Sequence, residues 1–489
     1  MTMTSQWLTA AQLTELIGRS GVGAERAWEQ PVYRDLAERI RLLVIDGQLP
    51  DGMRLPSERD LCRTLGLSRT TVTNTYALLR DLGVLAARRG AGNFVHQPAG
   101  GLASSLLPVT SAADEDNALV ALNTAASTAP PGLAAAYQAA AERLPALLAG
   151  TGYFPDGVEP LRSRLADWFT ERGLPTEADQ MIITVGSLSA WNVILQALVD
   201  PGDPVLMESP TYYNAIEACR RLGTRVVPFP IGFDDWSADR LASIMDRSRP
   251  RVAFVVPEFQ NPTGVWLDEE QRRAMARVLN RRQVITVVDE TLVELRLDGD
   301  PMRTPMGALL DDAITIGSAS KSFWGGLRIG WIRSPKRYVR RLIETQATMD
   351  NGAAPYEQLV VSELMTAADA VLTPQRERTR RLRDHLVAQM RGRLPEWEFE
   401  VPRGGLSLWF RLPTESSNLI SALARKRDLV LTPGPRFYPR GGGRRHLRIP
   451  YVADEAVLTE AVRRLVAVWE QSKSGSDRPR RPRAADLII

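Results

Sequence analysis

The stretch Ser318-Ala-Ser-Lys-Ser-Phe-Trp-Gly-Gly-Leu-Arg-Ile-Gly330 decides how this chain is read. It holds Lys321, and lysine is scarce: the four lysines stand at 321, 336, 426 and 473, and none precedes Lys321. A lysine flanked by two small hydroxyl residues and followed seven positions on by Arg328 suits a covalent role. An ε-amino group condenses with an aldehyde, and Ser318, Ser320 and the forked guanidinium of Arg328 suit a phosphate on the same ligand. Read alone, the stretch is a solvated lysine in a Gly/Ser loop. The rest of the chain overturns that reading.

Working outward, the residues around it alternate in a βαβ manner. Apolar, β-branched runs at Met181–Val185, Pro204–Met207, Arg251–Val256, Val284–Asp289 and Ala313–Ile316 are separated by helical stretches. The pattern predicts an α/β domain with a largely parallel sheet, whose ligands gather at the carboxyl ends of the strands. Polar candidates sit at those ends. Val185-Gly-Ser-Leu188 joins a strand to a helix and offers Ser187 and the Leu188 N–H to a phosphate. Tyr212 is placed to stack on an aromatic ring, and Asn261 offers an amide to a ring oxygen. Asp289 closes its strand, where a carboxylate keeps a pyridinium nitrogen protonated. Singly, each reads as a turn, a core aromatic or a strand-end acid. Together and in this order, ahead of Lys321, they point to pyridoxal phosphate, the common protein-bound aldehyde.

The remaining composition bounds the answer. At 489 residues the chain needs two or three domains, and 44% apolar with 24% charged residues is the balance of a soluble globular protein. No apolar run approaches the ~20 residues that span a membrane, and no basic-then-apolar leader opens the chain. Two distant cysteines and three scattered histidines offer neither a disulfide framework, a metal site nor a Ser-His-Asp triad. A cytoplasmic setting follows. The net charge of +4 does not by itself announce nucleic acid.

The first 97 residues carry twelve arginines against ten acidic residues, so any nucleic-acid face must come from arrangement. Residues 7–19 form an amphipathic helix within a 1–30 extension. Pro31 opens a longer helix, Ser57 caps a second after Leu55-Pro56, and Gly66 ends it. Ser68 then caps a third, with Val72, Tyr76 and Leu79 inward and Arg69, Thr70, Thr71, Thr73 and Asn74 outward. Short and forked hydrogen-bonding groups near a helix N-terminus are what a helix-turn-helix presents to base edges. Leu85–Val95 follows as two strands around a Gly-rich tip, with Arg88 and Arg89 for phosphate. For the helix pair alone, a plain helical hairpin stands beside the DNA reader.

The run from Pro31 to Val95 resembles the winged helix-turn-helix of GntR-type regulators, through P-x-Y-x-x-L, L-P-S-E-R, L-G-L-S-R-T-T-V and G-x-G-x-F-V. The resemblance implies DNA contacts from Arg59, Ser68, Arg69, Thr70, Thr71, Thr73 and the wing around Gly90. Residues 150–455 resemble fold-type I, class I aminotransferases of the kynurenine/aminoadipate branch. This implies Lys321 as the Schiff-base lysine, Asp289 at the ring nitrogen, Tyr212 stacking and Asn261 at the ring oxygen. It places Ser187, Leu188, Ser318, Ser320 and Arg328 at the phosphate, and Arg448 of His446-Leu-Arg-Ile-Pro450 on a ligand carboxylate. Tyr153 is implied to reach the partner subunit's site. One departure stands out: the family's strand-end aspartate is followed within two or three residues by a tyrosine, and here the order is Asp289-Glu-Thr-Leu292.

Both halves, in this order, resemble the MocR subfamily of GntR-type regulators. The expected fold is an N-terminal winged helix-turn-helix plus a C-terminal aminotransferase fold type I with large α/β and small domains. The expected domains are a 1–30 extension, 31–97 for DNA, a Pro/Gly/Ser-rich linker at 98–118, 119–470 for the cofactor and a disordered basic tail at 471–489. The resemblance implies a regulator sensing pyridoxal phosphate or an amino-group ligand, a head-to-tail homodimer and operator DNA as partner; no metal is expected from the scattered cysteines and histidines. An active aminotransferase carrying an accessory DNA module is the rival, and a DNA-binding protein with a dead lower half is a third reading.

Overall fold

The computed structural model describes residues 7–19, 31–45, 49, 52–88, 92–96, 119–232, 236–299 and 301–474. The linker at 98–118 and the tail from 475 onward lie outside the described residues.

The N-terminal part folds as the capping chemistry dictates. Ser57 Oγ accepts from the Asp60 N–H and Ser68 Oγ from the Thr71 N–H, starting helices Glu58–Leu65 and Arg69–Asp81. Gly66 adopts φ +67 between them, the left-handed turn that glycine makes without strain. Leu13 and Ile17 of helix Ala10–Arg19 bury against Leu36 and Ile40 of helix Val32–Ile45, and against Leu61, Val72, Tyr76 and Leu79. The 7–19 extension is thus part of this core. Strands β1 (Leu85–Arg88) and β2 (Gly92–Val95) close it as an antiparallel hairpin with Leu85 opposite Val95 and Arg88 opposite Gly92.

Beyond residue 118 there are two sheets. The strands are β3 (Val120–Leu122), β4 (Met181–Thr184), β5 (Pro204–Ser209), β6 (Arg225–Pro230), β7 (Val252–Val255), β8 (Ile285–Asp289), β9 (Ala313–Ser318), β10 (Gly330–Arg333), β11 (Glu398–Phe399), β12 (Ser407–Arg411), β13 (Leu429–Pro433) and β14 (His446–Pro450). Seven form the large sheet in the order β4-β10-β9-β8-β7-β5-β6, in which β10 alone runs antiparallel to its neighbours. Alternate residues serve opposite faces: Ile182, Phe254, Val287 and Ile316 pack under helices Ser187–Leu198, Tyr213–Arg221 and Lys336–Ala347. Met181 and Ile183 face helices Glu159–Glu171 and Pro355–Thr366. Burial on both faces explains why these strands read as continuous apolar runs.

The small sheet, β11-β12-β14-β13-β3, packs on helices Ala368–Arg393, Ser417–Arg425 and Glu455–Ser474. Its edge strand β3 pairs in parallel with β13, Val120 against Leu429 and Leu122 against Leu431. The first described residues after the linker therefore build the small domain. The last helix runs past the expected boundary at 470 to Ser474, held by Lys473 on Glu470 at 2.8 Å and by Trp469 packing edge-on against Trp397.

Candidate functional site

The carboxyl ends of the large sheet and one edge of the small sheet enclose a cavity of about 280 Å3. Ser187, Tyr212, Asn261, Asp289, Lys321 and Arg448 all line it, six of the side chains the sequence singles out. Asp289 is the last residue of β8, and Lys321 sits in the short helix Ala319–Ser322 directly after β9.

Lys321 is half-buried, with its Nζ donating to the Ala125 carbonyl oxygen at 2.6 Å. Burial pulls its pKa down to about 8, helped by the positive charges of Arg448 and Arg328 and opposed by Asp289. Burial pushes the Asp289 carboxyl up, while hydrogen bonding from Thr291, whose backbone N–H donates at 2.8 Å, and the charge of Lys321 pull it back. Burial likewise lifts the Tyr212 phenol to about 12, against the Asn214 amide donating to its oxygen at 2.9 Å. Arg448 is fully buried and donates to the Asn123 carbonyl at 2.7 Å and to Asn261 Oδ1 at 3.1 Å. No carboxylate pairs with it among the described residues, which leaves a buried cation suited to an incoming anion.

A second cluster lies beside the start of helix Ser187–Leu198. That helix has no side-chain cap, so its first N–H groups, Leu188 among them, are open. Ser318 Oγ donates to the Ile329 carbonyl and accepts the Ser320 N–H, each at 3.2 Å. Ser320 Oγ is buried with no hydrogen-bond partner among the described residues. Arg328, at φ +53, reaches the Val185 carbonyl at 3.3 Å, and Gly330 packs so tightly that a Cβ there would stand 2.7 Å from the Ser187 nitrogen. An orphaned hydroxyl, an uncapped helix N-terminus and a guanidinium are the donors that suit a phosphate. With Lys321 and Asp289 alongside, the residues present fit pyridoxal phosphate. Tyr153 does not line the cavity and is 66% exposed.

Sequence reasoning missed the segment Asn123–Ala125, which acts through backbone carbonyls that no side chain announces. It also missed the floor: buried Glu208 accepts the Val256 N–H at 2.8 Å and the Gln260 amide at 3.0 Å, which fixes the residue before Asn261. Burial raises that carboxyl to about 8.

In the N-terminal domain Arg59, Ser68, Arg69 and Thr70 are exposed, with Thr71 half-buried. Thr73 is half-buried as well, its hydroxyl donating to Glu58 Oε2 at 2.7 Å, so it ties the two helices together. Gly90 lies outside the described residues.

Residues 32–95 match the bacterial regulatory proteins of the gntR family, and residues 133–465 match aminotransferase class I and II. The HTH-type transcriptional regulator YisV of Bacillus subtilis is 23% identical over 456 residues, covering 87% of this chain and 93% of that one. The probable rhizopine catabolism regulatory protein MocR of Rhizobium meliloti is 27% identical over 351 residues, 64% of this chain and 67% of its own. The chain belongs to the MocR-like regulators of the GntR family. Its larger part is a class I and II aminotransferase domain. The solved structure of the α-aminoadipate aminotransferase LysN from Thermus thermophilus, complexed with N-(5'-phosphopyridoxyl)-L-leucine, superposes on this domain with a TM-score of 0.67. The identity is 26%, over 73% of this chain and 93% of LysN. The cofactor of this MocR-like regulator is therefore pyridoxal phosphate, and DNA is its partner.

Proposed function

We propose that this protein is a ligand-gated transcription regulator whose aminotransferase-like domain senses the cofactor itself or an amino-group ligand. Lys321 holds the cofactor, Asp289 faces its ring nitrogen, and Asn261 and Tyr212 orient the ring. Ser187, Leu188, Ser318, Ser320 and Arg328 take its phosphate. Bound there, pyridoxal phosphate supplies an aldehyde carbon and an electron-withdrawing ring. Arg448 receives the carboxylate of an amino compound, and Arg59, Ser68, Arg69, Thr70 and Thr71 serve the DNA side, while the Thr73 hydroxyl is held by Glu58. The working unit is a cytoplasmic head-to-tail homodimer, with Tyr153 reaching the partner subunit.

The observation that carries the gating is the pair of bonds from Lys321 to the Ala125 carbonyl and from Arg448 to the Asn123 carbonyl. Both carbonyls belong to the segment that continues from the linker through β3. When Lys321 engages a carbonyl ligand and Arg448 a carboxylate, each gives up or shares a bond to that segment. The segment's preference between two positions then depends on occupancy, as a switch requires.

The second reading, a working aminotransferase, rests on the joint presence of Lys321, Asp289 and Arg448 on one cavity. An absorbance titration with pyridoxal phosphate, followed by candidate amino acids, separates the two. A regulator shows a Lys321-dependent band that ligands shift together with DNA affinity. Discharge of the band with stoichiometric keto-acid release and unmoved DNA affinity would hand the case to the enzyme.

A further inference from the structure

Arg54 stands in the loop before helix Glu58–Leu65, between two strand-like segments. Its carbonyl accepts the Leu8 N–H at 3.0 Å, and it forms isolated bridges in parallel with Trp7 and antiparallel with Phe94. Its backbone is thus clamped on both sides, by the N-terminal extension and by the wing. Its guanidinium lies against Gly92: a Cβ at that residue would stand 3.2 Å from Arg54 Nε. Gly92 has φ +103 and pairs with Arg88, the last rung of the hairpin before its tip. A glycine here thus serves both the turn and the approach of the arginine.

Arg54 is exposed, with no hydrogen bond or ion pair to its side chain among the described residues. Most other arginines whose side chains are described in this domain are engaged. Arg39 pairs with Asp35, Arg41 with Glu38 and Arg63 with Asp60, while Arg80 donates to Asn93 at 3.0 Å. The guanidinia left unpaired on the described part are Arg54, Arg59 and Arg69, carried by the wing flank and by the two helices of the helix-turn-helix. Trp7, the bridge partner of Arg54, is 70% exposed on the same edge.

We propose that Arg54 contacts the phosphate backbone of duplex DNA on the flank of the wing, held in place by the N-terminal extension. The role extends the DNA-binding reading. A forked cation on a fixed backbone, already free of carboxylates, suits a phosphate and carries no base information. The competing explanation is packing: Arg54 is bridged to the buried Phe94, and its side chain lies against Gly92.

The test uses the full-length protein and a duplex recovered from a random-sequence pool by selection with wild type. Binding is followed by fluorescence anisotropy across a salt series. Arg54→Gln keeps most of the stem and removes the charge. It is expected to weaken binding roughly 3- to 10-fold near physiological salt and to lower the log–log salt slope by about one, with base preferences unchanged. Arg54→Lys is expected to retain the wild-type slope. Unchanged affinity and slope in Arg54→Gln would overturn the proposal. So would a loss of affinity at constant slope that Arg54→Lys fails to rescue, since that is the signature of packing. If wild type recovers no duplex at all, the DNA-binding reading itself fails, before Arg54 is reached.

Discussion

Lys321 Nζ and the Ala125 carbonyl oxygen, 196 residues apart in sequence, lie 2.6 Å apart. The bond joins the reactive amine at the end of β9 to the segment that follows the linker. Arg448, from β14, donates to Asn123 in the same segment at 2.7 Å. Two cations of the ligand cavity thereby anchor the stretch of chain that leads back toward the DNA-binding domain. In the proposed function, ligands compete for both.

The low pKa of Lys321 sets a pH dependence. The neutral amine attacks a carbonyl, so cofactor capture should rise with pH around a midpoint near 8. An unperturbed lysine would give a midpoint near ~10.4. Stopped-flow absorbance against pH reads this directly.

The same shift has a consequence for stability. Between about 8 and the unfolded value the unfolded chain binds more protons at this site, so stability rises with pH across that window. The penalty for burying the charge is fully present below it. Denaturant titrations of the cofactor-free protein at several pH values should show this rise in wild type and a flatter profile in Lys321→Met.

Arg448→Gln removes a buried cation that meets no carboxylate among the described residues. Amino acids should then shift the cofactor spectrum at concentrations at least ~30-fold higher, a loss of about 2 kcal/mol. Simple amines without a carboxylate should be affected far less. Equal losses for both would place Arg448 outside the carboxylate site.

Gly330→Ala should weaken cofactor binding while leaving the winged helix intact. A Cβ there would press 2.7 Å from the Ser187 nitrogen and 2.7 Å from the Gly186 Cα, displacing the helix start. Overpacking of this kind costs about 1–3 kcal/mol. Equilibrium titration with pyridoxal phosphate, alongside DNA anisotropy, separates the two effects.

Ser68→Ala removes the cap that accepts the Thr71 N–H, and should lower the stability of the DNA-binding domain by about 1 kcal/mol. Denaturant unfolding measures it.

The sequence was most legible where side-chain chemistry and chain order coincide. Buried parallel strands announce themselves as β-branched runs, so β4, β5, β7, β8 and β9 were placed, each with its polar strand-end residue. The two serine caps and Gly66 were likewise visible as residue types with one job. Strands β6 and β10 were not. Pro228 and Pro230 interrupt the pattern of β6, and the run Gly330–Arg333 carries too few apolar residues to stand out. Pairing of β3 with β13 spans most of the aminotransferase domain and has no local signature. The contacts of Asn123 and Ala125 were hidden for a simpler reason: a carbonyl oxygen is the same in every residue. Thr73 shows the converse, a side chain that reads as a DNA contact by position but is spent on Glu58.

The central claim is that occupancy of the Lys321 cavity changes DNA binding. The most direct measurement is the dissociation constant for a selected duplex with and without saturating pyridoxal phosphate, in wild type and in Lys321→Ala. The account predicts a cofactor-dependent change of at least ~5-fold in wild type, the lower range of allosteric coupling, and none in the variant. Identical constants with and without cofactor in wild type, tested alone and with added amino acids, would contradict it.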